Sequence, residues 1–164
     1  MPLIPDKAVF QNSLSGLPLV TYQPGETVIV DGSRTGRLLF LRKGTVAILK
    51  EGTEIARVAD PGAVLGELSV LLDQPHSVDV CALETSQFHV ANATTLLAQN
   101  PIAILYVATT LAHRLHGANH ALIELKNQLL SGEPHDVVAI TVSKMEGLLS
   151  VGGVTRPGDK FIDD

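Results

Sequence analysis

Gly62-Ala63-Val64-Leu65-Gly66-Glu67-Leu68-Ser69-Val70-Leu71-Leu72-Asp73-Gln74-Pro75-His76-Ser77-Val78-Asp79-Val80-Cys81-Ala82 is the stretch around which the chain is organised. Strand-like residues lead into a Gly-Glu corner. A short apolar turn of helix over Leu68 to Leu72 follows, and Pro75-His76-Ser77 exits into a second strand-like run. A strand that turns at glycine into a helix leaves main-chain N–H groups without acceptors at the helix start. Those donors, with the helix dipole, favour an anion, and phosphate is the obvious one.

Working outward, turn signals recur at Pro24-Gly25, Asp31-Gly32, Lys43-Gly44, Glu51-Gly52 and Asp60-Pro61-Gly62. They punctuate short runs rich in Val, Ile, Leu and Thr: residues 27–30, 37–41, 46–49 and 54–58 before the corner, 77–83 and 87–91 after it. Regular short strands with such turns predict an antiparallel roll or barrel and not alternating βαβ units. Residues 1–18 carry three prolines and predict a loose arm or a short helix stopped at Gly16-Leu17-Pro18.

The texture turns helical near Thr94. A short helix there should stop at Asn100-Pro101, and a long one should run from Pro101 to Leu130, closed by Ser131-Gly132. Ile104, Ala108, Leu111, Leu115, Ala118, Leu122, Leu125 and Leu129 alternate steps of four and three, the seam of a coiled coil. A helix lying on a sheet needs only a broad apolar stripe, so the strict alternation favours a homodimer over a monomer that buries this face on its own roll. Pro134 to Ser150 reads as a further amphipathic helix through Val137, Val138, Met145, Leu148 and Leu149. The fold class expected is thus α+β: an antiparallel, jelly-roll-like β-roll with an N-terminal arm or helix and C-terminal helices. The divisions are 1–18 for the arm, 19–130 for the roll with its long helix, and 131–164 for the tail.

Composition narrows the function. The chain has 164 residues, 45% hydrophobic and 4% aromatic, without Trp, so a single aliphatic core is expected. A formal net charge of -5, with no Lys/Arg run, speaks against a nucleic-acid binder. The start has no signal-peptide core, and the longest charge-free span, Thr85 to His113, is interrupted by Asn92, Gln99, Asn100 and Pro101, leaving less than the ~20 apolar residues of a membrane helix. The lone Cys81 lies in an apolar run and reads as a buried small hydrophobe in a reducing, cytoplasmic setting. No Ser-His-Asp set, Walker loop or Cys-X-X-Cys motif is present, so no enzyme activity is expected. His113, His116 and His120 sit three and four apart and could share a helix face, but a hydrated surface is the simpler reading, and no metal site is expected.

At the corner the chain resembles the cyclic-nucleotide-binding domain family. That family's phosphate-binding cassette reads Phe-Gly-Glu-Leu-Ala/Ser-Leu-Leu, then a few variable residues and Pro-Arg-Ser/Ala-Ala-Thr-Val. Gly66, Glu67, Leu68, Ser69, Leu71 and Pro75 fall on it at the right spacing, while His76 stands where the family has arginine. The likeness runs over about Leu19 to Leu130. It implies that the amides of Leu68 and Ser69 hold the phosphate, that Gly66 permits close approach, and that Glu67 takes the ribose hydroxyl. It also implies that Ser77 adds a donor, with tolerance of syn guanine, and that Asn119 on the long helix contacts the base. Val28, Leu38, Leu39, Val64 and Leu65 are the expected apolar wall. Arginine would give a phosphate a permanently charged fork, so His76 predicts modest affinity that improves as pH falls toward 6.

The function expected is that of a stand-alone cytoplasmic module that senses cAMP or cGMP, with no cofactor. Helix movement would signal to a partner protein, through a homodimer, without nucleic acid or membrane. The residues after Gly132 are too few for the helix-turn-helix domain that follows in the transcription-factor branch. The alternative keeps the fold as a dimerisation or protein-interaction module that no longer binds nucleotide.

Overall fold

The computed structural model describes residues 6–131 and 140; the expected helix over Pro134 to Ser150 otherwise lies outside them. Among the described residues eight strands form two four-stranded sheets, antiparallel in every pairing. They are β1 (Leu19–Tyr22), β2 (Thr27–Ile29), β3 (Arg37–Lys43), β4 (Val46–Lys50), β5 (Thr53–Val58), β6 (Val64–Leu65), β7 (Asp79–Ala82) and β8 (Ser86–Asn92). One sheet has the order β1-β8-β3-β6 and the other β2-β7-β4-β5. The consecutive strands β6 and β7 lie in different sheets, and the cassette is the bridge between them. This is the β-roll expected, with two short strands, β1 and β6, that apolar patterning did not delimit.

Side chains alternate across each strand and so divide the apolar residues between two layers. Leu39 and Leu41 of β3 point between the sheets, where they meet Ile29, Ile48, Leu65, Val80 and Phe88. Leu38 and Phe40 point the other way, into a second cluster with Val64, Ala91, Phe10, Leu14, Ala103 and Val107. The helices roof this second layer. Helix α1 (Lys7–Ser13) starts at Asp6, whose side chain accepts from the Ala8 amide, and it buries Phe10 completely. The arm expected at the N-terminus is therefore a packed helix. Phe10 stacks on Tyr106 at 3.7 Å, and the Tyr106 hydroxyl donates to the Gly62 carbonyl at 2.7 Å, tying both helical ends of the domain to the strand that enters the cassette.

Helix α3 (Ala93–Gln99) is capped by the Asn92 side chain, which accepts from the Thr95 amide at 3.0 Å. Helix α4 (Pro101–Ser131) opens with Pro101 in its first position, and Asn100 Oδ1 accepts from the Ala103 amide at 3.1 Å. The chain turns by 109° between the two helices. Among the described residues no single helix is long and apolar enough to cross a membrane. The face of α4 against the roll carries Ala103, Val107 and Arg114, whereas Ile104, Leu115, Leu122 and Leu129 of the seam are 45–65% exposed. Leu111 of the seam packs on the second cluster, so the seam and the face against the roll overlap there and diverge toward Leu129.

Candidate functional site

The cassette helix α2 is short, Glu67–Leu71, and begins one residue earlier than expected. Its N-cap, Gly66, sits at φ +89, in the left-handed region. A Cβ there would come within 2.7 Å of the Arg37 carbonyl oxygen and 3.4 Å of His76 Cε1, so only glycine fits both the backbone and the space. The first intrahelical bond runs from the Val70 amide to the Gly66 carbonyl at 3.2 Å. The amides of Glu67, Leu68 and Ser69 therefore precede the ladder, as first-turn donors do.

Gly66, Glu67, Leu68, Ser69, His76 and Ser77 line one cleft, with Leu65, Ile29, Ile48, Val78 and Val80 as its apolar floor and Gln74 and Pro75 at its edge. The structure thus brings together seven of the sequence-predicted residues, counting Leu65. It separates two others. Val64 belongs to the layer under the helices, with Leu38, because strand alternation turns it away from Leu65. Asn119 is exposed on α4 and does not line the cleft. Leu39 and the half-buried Val28 pack in the core between the sheets. Cys81 also departs from expectation: it is half-buried on the outer side of β7, 3.9 Å from Thr27 Oγ1, while its neighbours Val80 and Ala82 take the core positions.

Glu67 is 4% exposed and meets Arg114 from α4, itself 8% exposed, in a buried ion pair between Oε1 and Nη1. Arg114 Nη2 donates to the Val64 carbonyl at 3.2 Å, and its Nε is sealed without a partner among the described residues. Sequence reasoning missed Arg114. It lies off the apolar seam, and the one available signal was a cation on a helix otherwise apolar at that depth.

The remaining polar groups close the cassette. Ser69 Oγ donates to the Gln74 carbonyl at 2.6 Å, so this hydroxyl is spent on the loop. His76 is 6% exposed, and its main chain is clamped by the Ser33 carbonyl at 2.9 Å and the Gly32 amide at 2.8 Å. Its Nε2 lies 3.0 Å from Thr35 Oγ1. Burial pulls the His76 pKa below the usual histidine value, against the opposing pull of Glu67. The ring is consequently neutral at pH 7, and the lining residues include no unpaired cation. The cleft is small, about 50 Å³. A roomier hollow of about 390 Å³ lies beside α3, lined by Leu17, Ala91, Asn92, Thr95, Leu96, Gln99 and Asn100, and bears no titratable side chain. His113, His116 and His120 are exposed on α4; His116 and His120 rings are 5.0 Å apart, and no group of three or more metal-ligating side chains occurs among the described residues.

Roll, cassette helix and long helix define the class of β-roll domains built around a phosphate-binding cassette. Residues 19–99 match the family model described as the cyclic nucleotide-binding domain. Solved structures share the fold. A cyclic nucleotide-binding domain from Methylobacillus flagellatus KT is 24% identical with a TM-score of 0.54, over 60% of this chain and 61% of that one. This chain thus spans about three fifths of that protein. The Thermus thermophilus catabolite activator protein is 20% identical with a TM-score of 0.57, over 88% and 80%. A protein described under a cyclic-GMP-dependent signalling pathway in bacterial phytopathogenesis is 13% identical with a TM-score of 0.58, over 69% and 97%. No curated protein sequence matches.

Proposed function

We propose that the chain is a non-catalytic regulatory module that binds a cyclic mononucleotide, cAMP or cGMP, in this cleft and reports it through α4. The phosphate would rest on the amides after Gly66, with Ser77 beside them, and the ribose hydroxyl on Glu67. The observation that carries the reading is the buried Glu67–Arg114 pair. It joins the residue suited to a sugar hydroxyl to the helix suited to a signal. A ribose hydroxyl that engages Glu67 competes with or reshapes its bond to Arg114, and that change is passed to α4, which carries Arg114. The match of residues 19–99 to the cyclic nucleotide-binding domain model supports a nucleotide as the ligand. The module would act in the cytoplasm as a homodimer along the exposed seam and pass its signal to a partner protein.

A second reading, the same fold serving only as a dimerisation or protein-interaction module, is favoured by one observation. A cleft of about 50 Å³ is far smaller than the ~300–1,000 Å³ of ordinary small-molecule sites, so the base would have to project outside or the cleft open. Thermal unfolding with cAMP, cGMP and 5′-AMP separates the two. A ligand at a hundredfold excess over its Kd adds about 2.7 kcal/mol of stability. A higher Tm with a cyclic nucleotide and not with 5′-AMP is expected. An unmoved Tm with all three, in a protein that still dimerises, would leave the second reading.

A further inference from the structure

We infer that Thr35 is a positioning residue that fixes the tautomer of His76, so that the ring presents a neutral Nδ1–H donor to the phosphate in the cleft. The ligand half of this inference rests on the function proposed above; the tautomer half stands alone. Three observations lead to it. First, Thr35 Oγ1 is 3.0 Å from His76 Nε2 and also accepts from the Arg37 amide at 3.4 Å. A hydroxyl has one hydrogen to give. With a lone pair engaged by Arg37, donating that hydrogen to Nε2 satisfies every partner, whereas accepting from Nε2–H as well would leave the hydrogen without a protein acceptor among the described residues.

Second, His76 lines the cleft. Its Nδ1 has no hydrogen-bond partner among the described residues, yet it is not among the sealed, unpartnered side-chain atoms, which there are His89 Nδ1 and Arg114 Nε. Third, the charged group that acts on the ring is the Glu67 carboxylate. Near that carboxylate and an incoming anion, a bare ring lone pair on the free nitrogen is disfavoured and an N–H favoured. The ring is held close to this arrangement: its main chain bonds to Gly32 and Ser33, its Cε1 lies beside Gly66, and its Nε2 is on Thr35.

A cassette with His76 in place of arginine then keeps one directed donor for the phosphate without any fixed positive charge. The neutral imidazole of histidine in water favours the opposite, Nε2–H tautomer, which makes the assignment testable. Long-range proton–nitrogen correlation on 15N-histidine-labelled protein at pH 8 should show His76 protonated at Nδ1 in the native chain and in Thr35→Ser. Thr35→Val, at an exposed position, should shift it to Nε2. In parallel, calorimetry with cAMP and cGMP should give Thr35→Val a roughly three- to tenfold weaker affinity, the scale of one neutral hydrogen bond, with Thr35→Ser near native. A native His76 protonated at Nε2 overturns the inference. Unchanged affinity in Thr35→Val, with the tautomer shifted, overturns its ligand half. Failure of the native chain to bind either nucleotide refutes the proposed function and the ligand half together, while the spectrum still decides the tautomer.

Discussion

His76 concentrates the chemistry of the site in one side chain. A charge-assisted hydrogen bond to phosphate is worth ~1.5–3 kcal/mol net, so His76→Arg should tighten cAMP or cGMP binding by about one to two orders of magnitude in calorimetry at pH 7.5. Unchanged affinity would remove position 76 from the site. The pH dependence has a definite sign. Burial holds the folded-state pKa of His76 below its unfolded value, so folding excludes a proton. The stability this residue contributes is complete above pH about 6.5 and declines as pH falls below it. A bound phosphate prefers the cation, so ligand affinity should rise over the same descent. Denaturant titrations and calorimetry at pH 7.5 and 5.5 check both halves, and His76→Gln should flatten both profiles.

At the scale of elements, a buried ion pair joins α2 to α4, with side chains 6% and 9% exposed. Two ions out of water cost several kcal/mol each unless they satisfy one another, so neither partner tolerates removal alone. Arg114→Met strands the Glu67 carboxylate and should destabilise the domain by roughly 3–5 kcal/mol in chemical unfolding. Adding Glu67→Gln should recover much of that loss while abolishing ligand binding. If Arg114→Met unfolds like the native protein, the pair is not the joint between cassette and long helix. The cassette was legible in the sequence because its requirements are local: a glycine at φ +89, a carboxylate at a helix start, a proline before the exit strand. Arg114 was not, since it lies 47 residues from Glu67 and nothing in its own neighbourhood names a partner.

For the whole molecule, the arrangement of α4 separates two apolar faces that a helical wheel alone leaves open. Ala103 and Val107 serve the roll, and Leu115, Leu122 and Leu129 are left 55–65% exposed. Covering each such leucine is worth ~1.5–3 kcal/mol, enough in sum to hold two copies together. Sedimentation should find twice the chain mass of 17.4 kDa, and Leu115→Glu with Leu122→Glu should return the single mass without loss of the roll's β signature. A native chain that sediments at the single mass at tens of micromolar would exclude the seam as a dimer contact.

Short apolar runs between turn dipeptides, four-three apolar spacing and the Gly66-Glu67 corner, with the family resemblance, were enough to specify an antiparallel roll with a cassette and a long helix, because each pattern is a short-range steric or solvation requirement. Which face of a strand meets which layer is another matter. Val64 and Leu65 are neighbours of equal hydrophobicity, and it took sheet pairing to send one under the helices and the other into the cleft. The same holds for Thr35 beside His76, Arg114 on Glu67 and the free seam of α4: contacts across tens of residues depend on how layers stack, and no local pattern encodes that stacking.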